Sequence, residues 1–92
     1  EISLHQNYPN PFNPSTTISF DITQISSFVR LEVYNMKGQK VKQLINGQLS
    51  AGQHTIVWNG LDDDGKFVTS GVYFYKLKTN NFEKTRKMLL IK

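Results

Sequence analysis

An all-β fold, an antiparallel sandwich of about seven strands, is what this sequence predicts, and three observations predict it. Apolar side chains recur with a period of two almost throughout, and no stretch of useful length carries the 3.6-residue stripe of an amphipathic helix. Turn signals containing glycine or asparagine interrupt the chain at short, regular intervals. Short strands spaced this way indicate a sandwich of the immunoglobulin-like type.

The elements follow in order. A first strand is expected over residues 2–5. Ile18, Phe20 and Ile22 alternate with Ser19 and Asp21, giving a strand over 16–22. Val29, Leu31 and Val33 alternate with Arg30 and Glu32 over 28–35. Residues 40–45 form a further strand in which Val41 and Leu44 stand three apart, an offset that a β-bulge absorbs. Ile56 and Trp58 alternate with Thr55, Val57 and Asn59 over 53–59. Tyr73, Tyr75 and Leu77 alternate with Phe74, Lys76 and Lys78 over 71–79, and a last strand covers 82–91. Each pattern gives one buried and one wetter face. The expected core is therefore Phe20, Leu31, Val33, Ile56, Trp58, Tyr73, Tyr75 and Leu77.

Lys37-Gly38, Asn46-Gly47, Ala51-Gly52, Asn59-Gly60 and Asp64-Gly65 are read as tight turns that need a positive φ. Asn80-Asn81 suits a two-residue hairpin, because asparagine tolerates the left-handed region. All three prolines fall within residues 8–14, at every second or third position. Proline fixes φ and lacks a donor, so this segment is expected to be a stiff, extended crossover pinned by Tyr8 and Phe12.

With 92 residues, the chain fits a single domain, residues 1–92. A hydrophobic fraction of 38% supports a core and argues against disorder. There is no cysteine, so disulfides and thiolate metal sites are excluded. The longest apolar run, Met88-Leu89-Leu90-Ile91, falls far short of a helical membrane span, and no membrane insertion is expected. No leader peptide is present, so an exported protein would carry its leader on a longer parent chain. The net charge is +4, and from Gly71 to Lys92 six basic residues face only Glu83. Such an end could meet an anionic partner or be a solvated strand face.

No catalytic constellation stands out: no nucleophile elbow, no phosphate-cradling glycine loop and no paired carboxylates. His5 and His54 are isolated, and His54 shares a face with Ile56 and Trp58. Asp62-Asp63-Asp64-Gly65 resembles the front of a calcium loop, with Asp62 and Asp64 as candidate ligands. The bidentate Glu that would close such a loop is missing, and Asp with Gly is also what a tight turn prefers. No metal or cofactor is therefore expected. Tyr73, Phe74 and Tyr75 lie beside lysines, but they fall on both faces of one strand, which argues against a nucleic-acid platform.

One block is highly specific. Asn7-Tyr8-Pro9-Asn10-Pro11-Phe12-Asn13-Pro14, preceded by Leu4-His5-Gln6 and followed by Ser15-Thr16-Thr17-Ile18, closely resembles the start of the type A C-terminal sorting domain of the type IX secretion system. Val33-Tyr34-Asn35, Ala51-Gly52, Trp58-Asn59-Gly60, Ser70-Gly71-Val72-Tyr73 and Lys87-Met88-Leu89-Leu90-Ile91-Lys92 continue the likeness along essentially the whole chain. The middle also looks like the immunoglobulin-like domain of flagellar hook-capping proteins, which lacks the opening block and the lysine-flanked tail.

The resemblance implies a non-catalytic address at the C-terminus of an exported cargo in a Gram-negative bacterium. It implies passage through the periplasm to the cell surface or beyond. Its implied partners are the type IX outer-membrane translocon, a surface sortase that commonly removes the domain, and the cargo domains of the same chain; the cut would fall before Glu1. The implied landmarks are the opening block, Gly71, Tyr73, and Lys87 to Lys92. If Met88 and Leu90 face the core, Leu89 and Ile91 are left for a partner, or the phase is the reverse. A sheet edge near this strand could also recruit a partner strand. Two other readings compete: an immunoglobulin-like accessory module that binds carbohydrate or protein, and a structural spacer like the hook-capping relative.

Overall fold

Alternating side chains give this chain strands, with no helix among the described residues, and the computed structural model describes residues 2–92, the side chains of residues 25 and 26 excepted. The strands are β1 (Ser3–Leu4), β2 (Thr16–Tyr34), β3 (Lys40–Trp58), β4 (Gly71–Lys78) and β5 (Glu83–Leu90). β2 is the hub. β3 lies along one edge of it, while the other edge takes β1 near Phe20 and β4 between Arg30 and Tyr34. β5 pairs outside β4, and every ladder is antiparallel.

Five strands replace the seven expected because two pairs have merged. Residues 16–22 and 28–35 are halves of β2, and 40–45 and 53–59 are halves of β3. The join is a shift in register: Ile22 faces Gly52 and Ser26 faces Ser50, so residues 23–25 stand opposite Ala51 alone. Extra residues on one strand bend and twist a ladder. Each long strand can then serve two sheets, as strands at sandwich corners do. β1 joins the first half of β2 and the second half of β3; β4 and β5 join the other halves.

Asn46-Gly47 and Ala51-Gly52 consequently lie inside β3 and not in turns, and Gly47 has no positive φ. Continuous pairing with β2 outweighs the local turn preference of these residues. The bulge expected near Val41 and Leu44 is present: the partner sequence Leu31–Ile45, Glu32–Gln43 skips Leu44, and Val33–Lys42, Tyr34–Lys40 skips Val41. Asn80-Asn81 does make the hairpin, with Thr79 N donating to Phe82 O at 2.8 Å. Among the described residues only glycines have positive φ, so this pair turns without the left-handed conformation expected of it.

The sheets close over one core. Phe20, Leu31, Val33, Trp58, Tyr73, Tyr75 and Leu77 are buried as expected, and Ile56 is half-buried against them. Trp58 joins the layers: its ring lies 5.8 Å from Phe12, in the segment between β1 and β2, and 5.5 Å from Tyr73 in β4, which shares no ladder with β3. The indole Nε1 donates to Leu61 O at 2.9 Å, which satisfies the one polar group this burial would strand.

Candidate recognition surface

The opening block is neither extended nor free. It bends at residues 9–11 and again at 13–14, and the peptide bonds preceding Pro9, Pro11 and Pro14 are all cis. The bends let alternate residues reach two different elements, which a straight segment could not do. Tyr8 pairs its backbone with Thr17 in β2, at 3.0 and 2.9 Å. Phe12 instead meets the last strand, its N donating to Leu89 O at 3.0 Å and its O accepting from Ile91 N at 2.9 Å. Of the two aromatics expected to pin the segment, Phe12 does so with a buried ring. Tyr8 does so through its backbone alone, its side chain being 80% exposed.

Polar side chains complete this junction. Asn10 Oδ1 accepts from Leu89 N at 3.0 Å, and Gln6 Nε2 donates to Lys87 O at 2.9 Å. Asn7 is buried. Its Nδ2 donates to Thr16 Oγ1 at 2.9 Å, and its backbone N donates to the Tyr75 hydroxyl at 2.8 Å. That hydroxyl in turn donates to His5 O at 2.7 Å, and burial pushes the Tyr75 pKa up. Arg86 Nε donates to Leu4 O at 2.7 Å, tying β5 to β1 across the sandwich. Arg86 was not legible as a site residue, whereas Gln6, Asn7 and Asn10 lie in the stretch that the resemblance marks.

Gly60 shows how closely the block sits. It has φ 79°, and a Cβ there would come 3.2 Å from Pro14 O, so both conformation and space favour glycine. The Trp58-Asn59-Gly60 and opening-block motifs, far apart in sequence, are thus in contact.

In the tail, Met88 and Leu90 are buried, whereas Leu89 and Ile91 are 37% and 49% exposed. Lys87 is exposed and makes no ion pair among the described residues. Lys92 lies 5.2 Å from the Phe67 ring, and its N donates to Ser70 Oγ at 3.0 Å. Tyr73 is buried, with its hydroxyl donating to Thr69 O at 2.7 Å. Gly71 faces Leu90 across the ladder with φ 153°, a conformation glycine favours, and an added Cβ would meet nothing within 4 Å. Its requirement is therefore one of conformation and not of room. The edge expected to recruit a partner strand is already occupied between Lys87 and Ile91 by Gln6, Asn10 and Phe12. What remains open there is the row of side chains Lys87, Leu89, Ile91 and Lys92.

The acidic loop is a turn that supplies its own partners. Asp62 Oδ1 accepts from Asp64 N and Lys66 N, both at 2.9 Å. Asp63 Oδ1 accepts from Gln43 N at 3.2 Å and lies 3.9 Å from Lys42 Nζ. Among the described residues, no group of three or more His, Cys, Asp or Glu could hold a metal ion. The histidines sit on sheet faces: His5 lies 2.7 Å from Asp21 and, as its hydrogen-bond partner, lowers the Asp21 pKa, while His54 stacks on Phe20 at 5.5 Å.

A family model described as the FlgD Ig-like domain matches residues 7–82. No curated protein matches the chain significantly. Among solved structures, dimeric latent PorU from Porphyromonas gingivalis superposes with a TM-score of 0.79 at 19% identity, over 98% of this chain and 9% of that one. PorZ from the same organism, described as an essential bacterial surface component of its type-IX secretion system, superposes with a TM-score of 0.65 at 21% identity, over 97% of this chain and 11% of that one. FLGD from P. aeruginosa gives a TM-score of 0.63 at 29% identity, over 82% of this chain and 58% of that one. The chain thus spans about a tenth of the PorU and PorZ chains.

Proposed function

The chain belongs to the FlgD Ig-like domain family, and from that premise we propose that it is a non-catalytic sorting domain of an exported protein, recognised by the type IX outer-membrane machinery. The observation that carries this reading is the junction. The two blocks that resemble the sorting domain most specifically, 7–14 and 87–92, lie far apart in sequence, with Asn10 and Leu89 separated by 79 positions, and are bonded together at one end of the fold. Leu89, Ile91, Lys87 and Lys92 are then presented from a fixed backbone, while Met88, Leu90 and Tyr73 anchor them from inside. The fold shared with PorU and PorZ supports the same direction. On this reading the protein passes through the periplasm to the cell surface, and a surface sortase removes the domain.

A direct test fuses residues 1–92 to the C-terminus of a reporter that bears a signal peptide, in a host with a type IX system. The reporter should reach the surface. Retention of this fusion, while a known sorting domain exports the same reporter, would overturn the assignment. The second reading, an immunoglobulin-like binding or spacer module, is favoured by the match to the FlgD family and predicts that retention.

A further inference from the structure

We propose that the outer face of the sheet made by β2, β4 and β5 docks a protein segment bearing an apolar side chain flanked by carboxylates. Leu31, Val33, Tyr73, Tyr75, Met88 and Leu90 turn inward, so the intervening residues form the opposite face. The ladders place Tyr34 beside Phe74 and Phe74 beside Lys87, with Val72 beside Leu89. This face is apolar where alternation calls for polar side chains. Met36, 69% exposed on the β2–β3 turn, projects at its end. Between Met36, Tyr34, Phe74 and Lys76 lies a hollow of about 290 Å³, enough for one apolar side chain.

The charges select the occupant. Glu32 lies 3.8 Å from Lys40, and Glu83 lies 3.9 Å from both Lys76 and Lys78. The acids of this face are thus already neutralised, whereas Lys87 has no ion pair among the described residues and borders the apolar patch. A partner carboxylate would complete that cation, and complementarity of this kind sets register and suppresses wrong partners. A sugar is disfavoured because the Lys76 ammonium sits 5.0 Å over the Tyr34 ring and occupies its stacking face. A flat anionic lipid surface would call for a plane of free cations, whereas Lys40, Lys76 and Lys78 are already held by Glu32 and Glu83. A discrete segment needs only the cation that borders the apolar patch.

The surface stands apart from the sorting reading, sharing only Lys87 and Leu89 with it. Amide chemical shifts of the 92-residue chain, titrated with a capped Glu-Leu-Phe-Leu-Glu peptide and its Lys-Leu-Phe-Leu-Lys counterpart, provide the test. Shifts should centre on Met36, Phe74, Lys76 and Leu89, and the acidic peptide should bind several-fold more tightly. Lys87→Glu should reverse that preference, and Met36→Ser, a change at an exposed turn, should weaken both peptides without altering the remaining spectrum. Equal response to the two peptides, shifts elsewhere, or no shifts would overturn the proposal. So would co-sedimentation with phosphatidylglycerol vesicles in the absence of any peptide response. Because the readout is binding in vitro, a reporter that fails to be exported leaves it untouched, and a failed titration leaves the export test intact.

Discussion

The acidic turn at residues 62–66 and the junction between residues 6–12 and 87–91 are both made by polar side chains bonded to backbone, and they differ in reach. In the turn, Asp62 serves residues two and four positions ahead. In the junction, Asn7 meets Tyr75 across 68 positions, Asn10 meets Leu89 across 79, and Gln6 meets Lys87 across 81. A local cluster forms as soon as its own turn does. Contacts of long sequence separation form only after the chain has paid the entropy of closing the intervening loop. The turn therefore reaches no farther than β3, where Asp63 meets Gln43 across 20 positions. The junction exists only in a closed sandwich, so a tail displayed by it certifies that the domain has folded.

Trp58 touches the junction through Phe12 and holds the residue just before the acidic turn through Leu61 O, so its loss should have the largest effect. Trp58→Ala should cost about 3–5 kcal/mol in chemical denaturation, enough to unfold so small a domain at room temperature. A loss below about 1 kcal/mol would mean that the indole does not join the layers.

Asn7→Ala and Asp62→Asn separate the two regions. The first removes the buried side-chain amide from Thr16 Oγ1 and Pro9 O, while the backbone bond to the Tyr75 hydroxyl stays, and should cost about 1–3 kcal/mol. The second keeps an acceptor oxygen at the same place and should change stability by less than about 0.5 kcal/mol. Calcium at millimolar concentration should leave the melting temperature of the intact chain unchanged. A rise abolished by Asp62→Asn would make the loop a cation site instead of a turn.

Alkaline pH offers a smaller lever on the outer sheet face. The Tyr34 hydroxyl donates to Glu32 Oε1 at 2.6 Å, and this bond, with burial, raises its pKa to about 12 from 10. An unfolded tyrosine ionises first, so the stability contributed by Tyr34 is whole below pH 10 and is lost as pH rises through about 12. Tyr34→Phe should flatten the decline of stability over that window. An unchanged decline would place its origin in another group.

Legibility in the sequence divides along the same line as these two regions. The inward alternation of β2 and β4, the acidic turn and the phase options for Met88 to Ile91 depend on neighbours a few residues apart, and they could be read directly. The merging of four predicted strands into β2 and β3 could not, because pairing partners as distant as Thr16 and Trp58 overrule the local turn signal at Asn46-Gly47. The junction was half legible. The resemblance marked its two blocks, but no local pattern shows that Asn10 bonds to Leu89 or that Arg86 reaches Leu4.

The central claim is that a folded domain presents the tail side chains to a partner, and the most direct measurement separates folding from reading. A signal-peptide reporter carrying residues 1–92 with both Lys87→Glu and Lys92→Glu should keep the melting temperature of the parent domain, since exposed charge changes cost less than about 0.5 kcal/mol each. Its surface fraction should nevertheless fall about tenfold, the effect of losing about 1.4 kcal/mol of binding. Surface export undiminished by both charge reversals, and undiminished again when Leu89 and Ile91 are made polar in a domain that stays folded, would contradict the account.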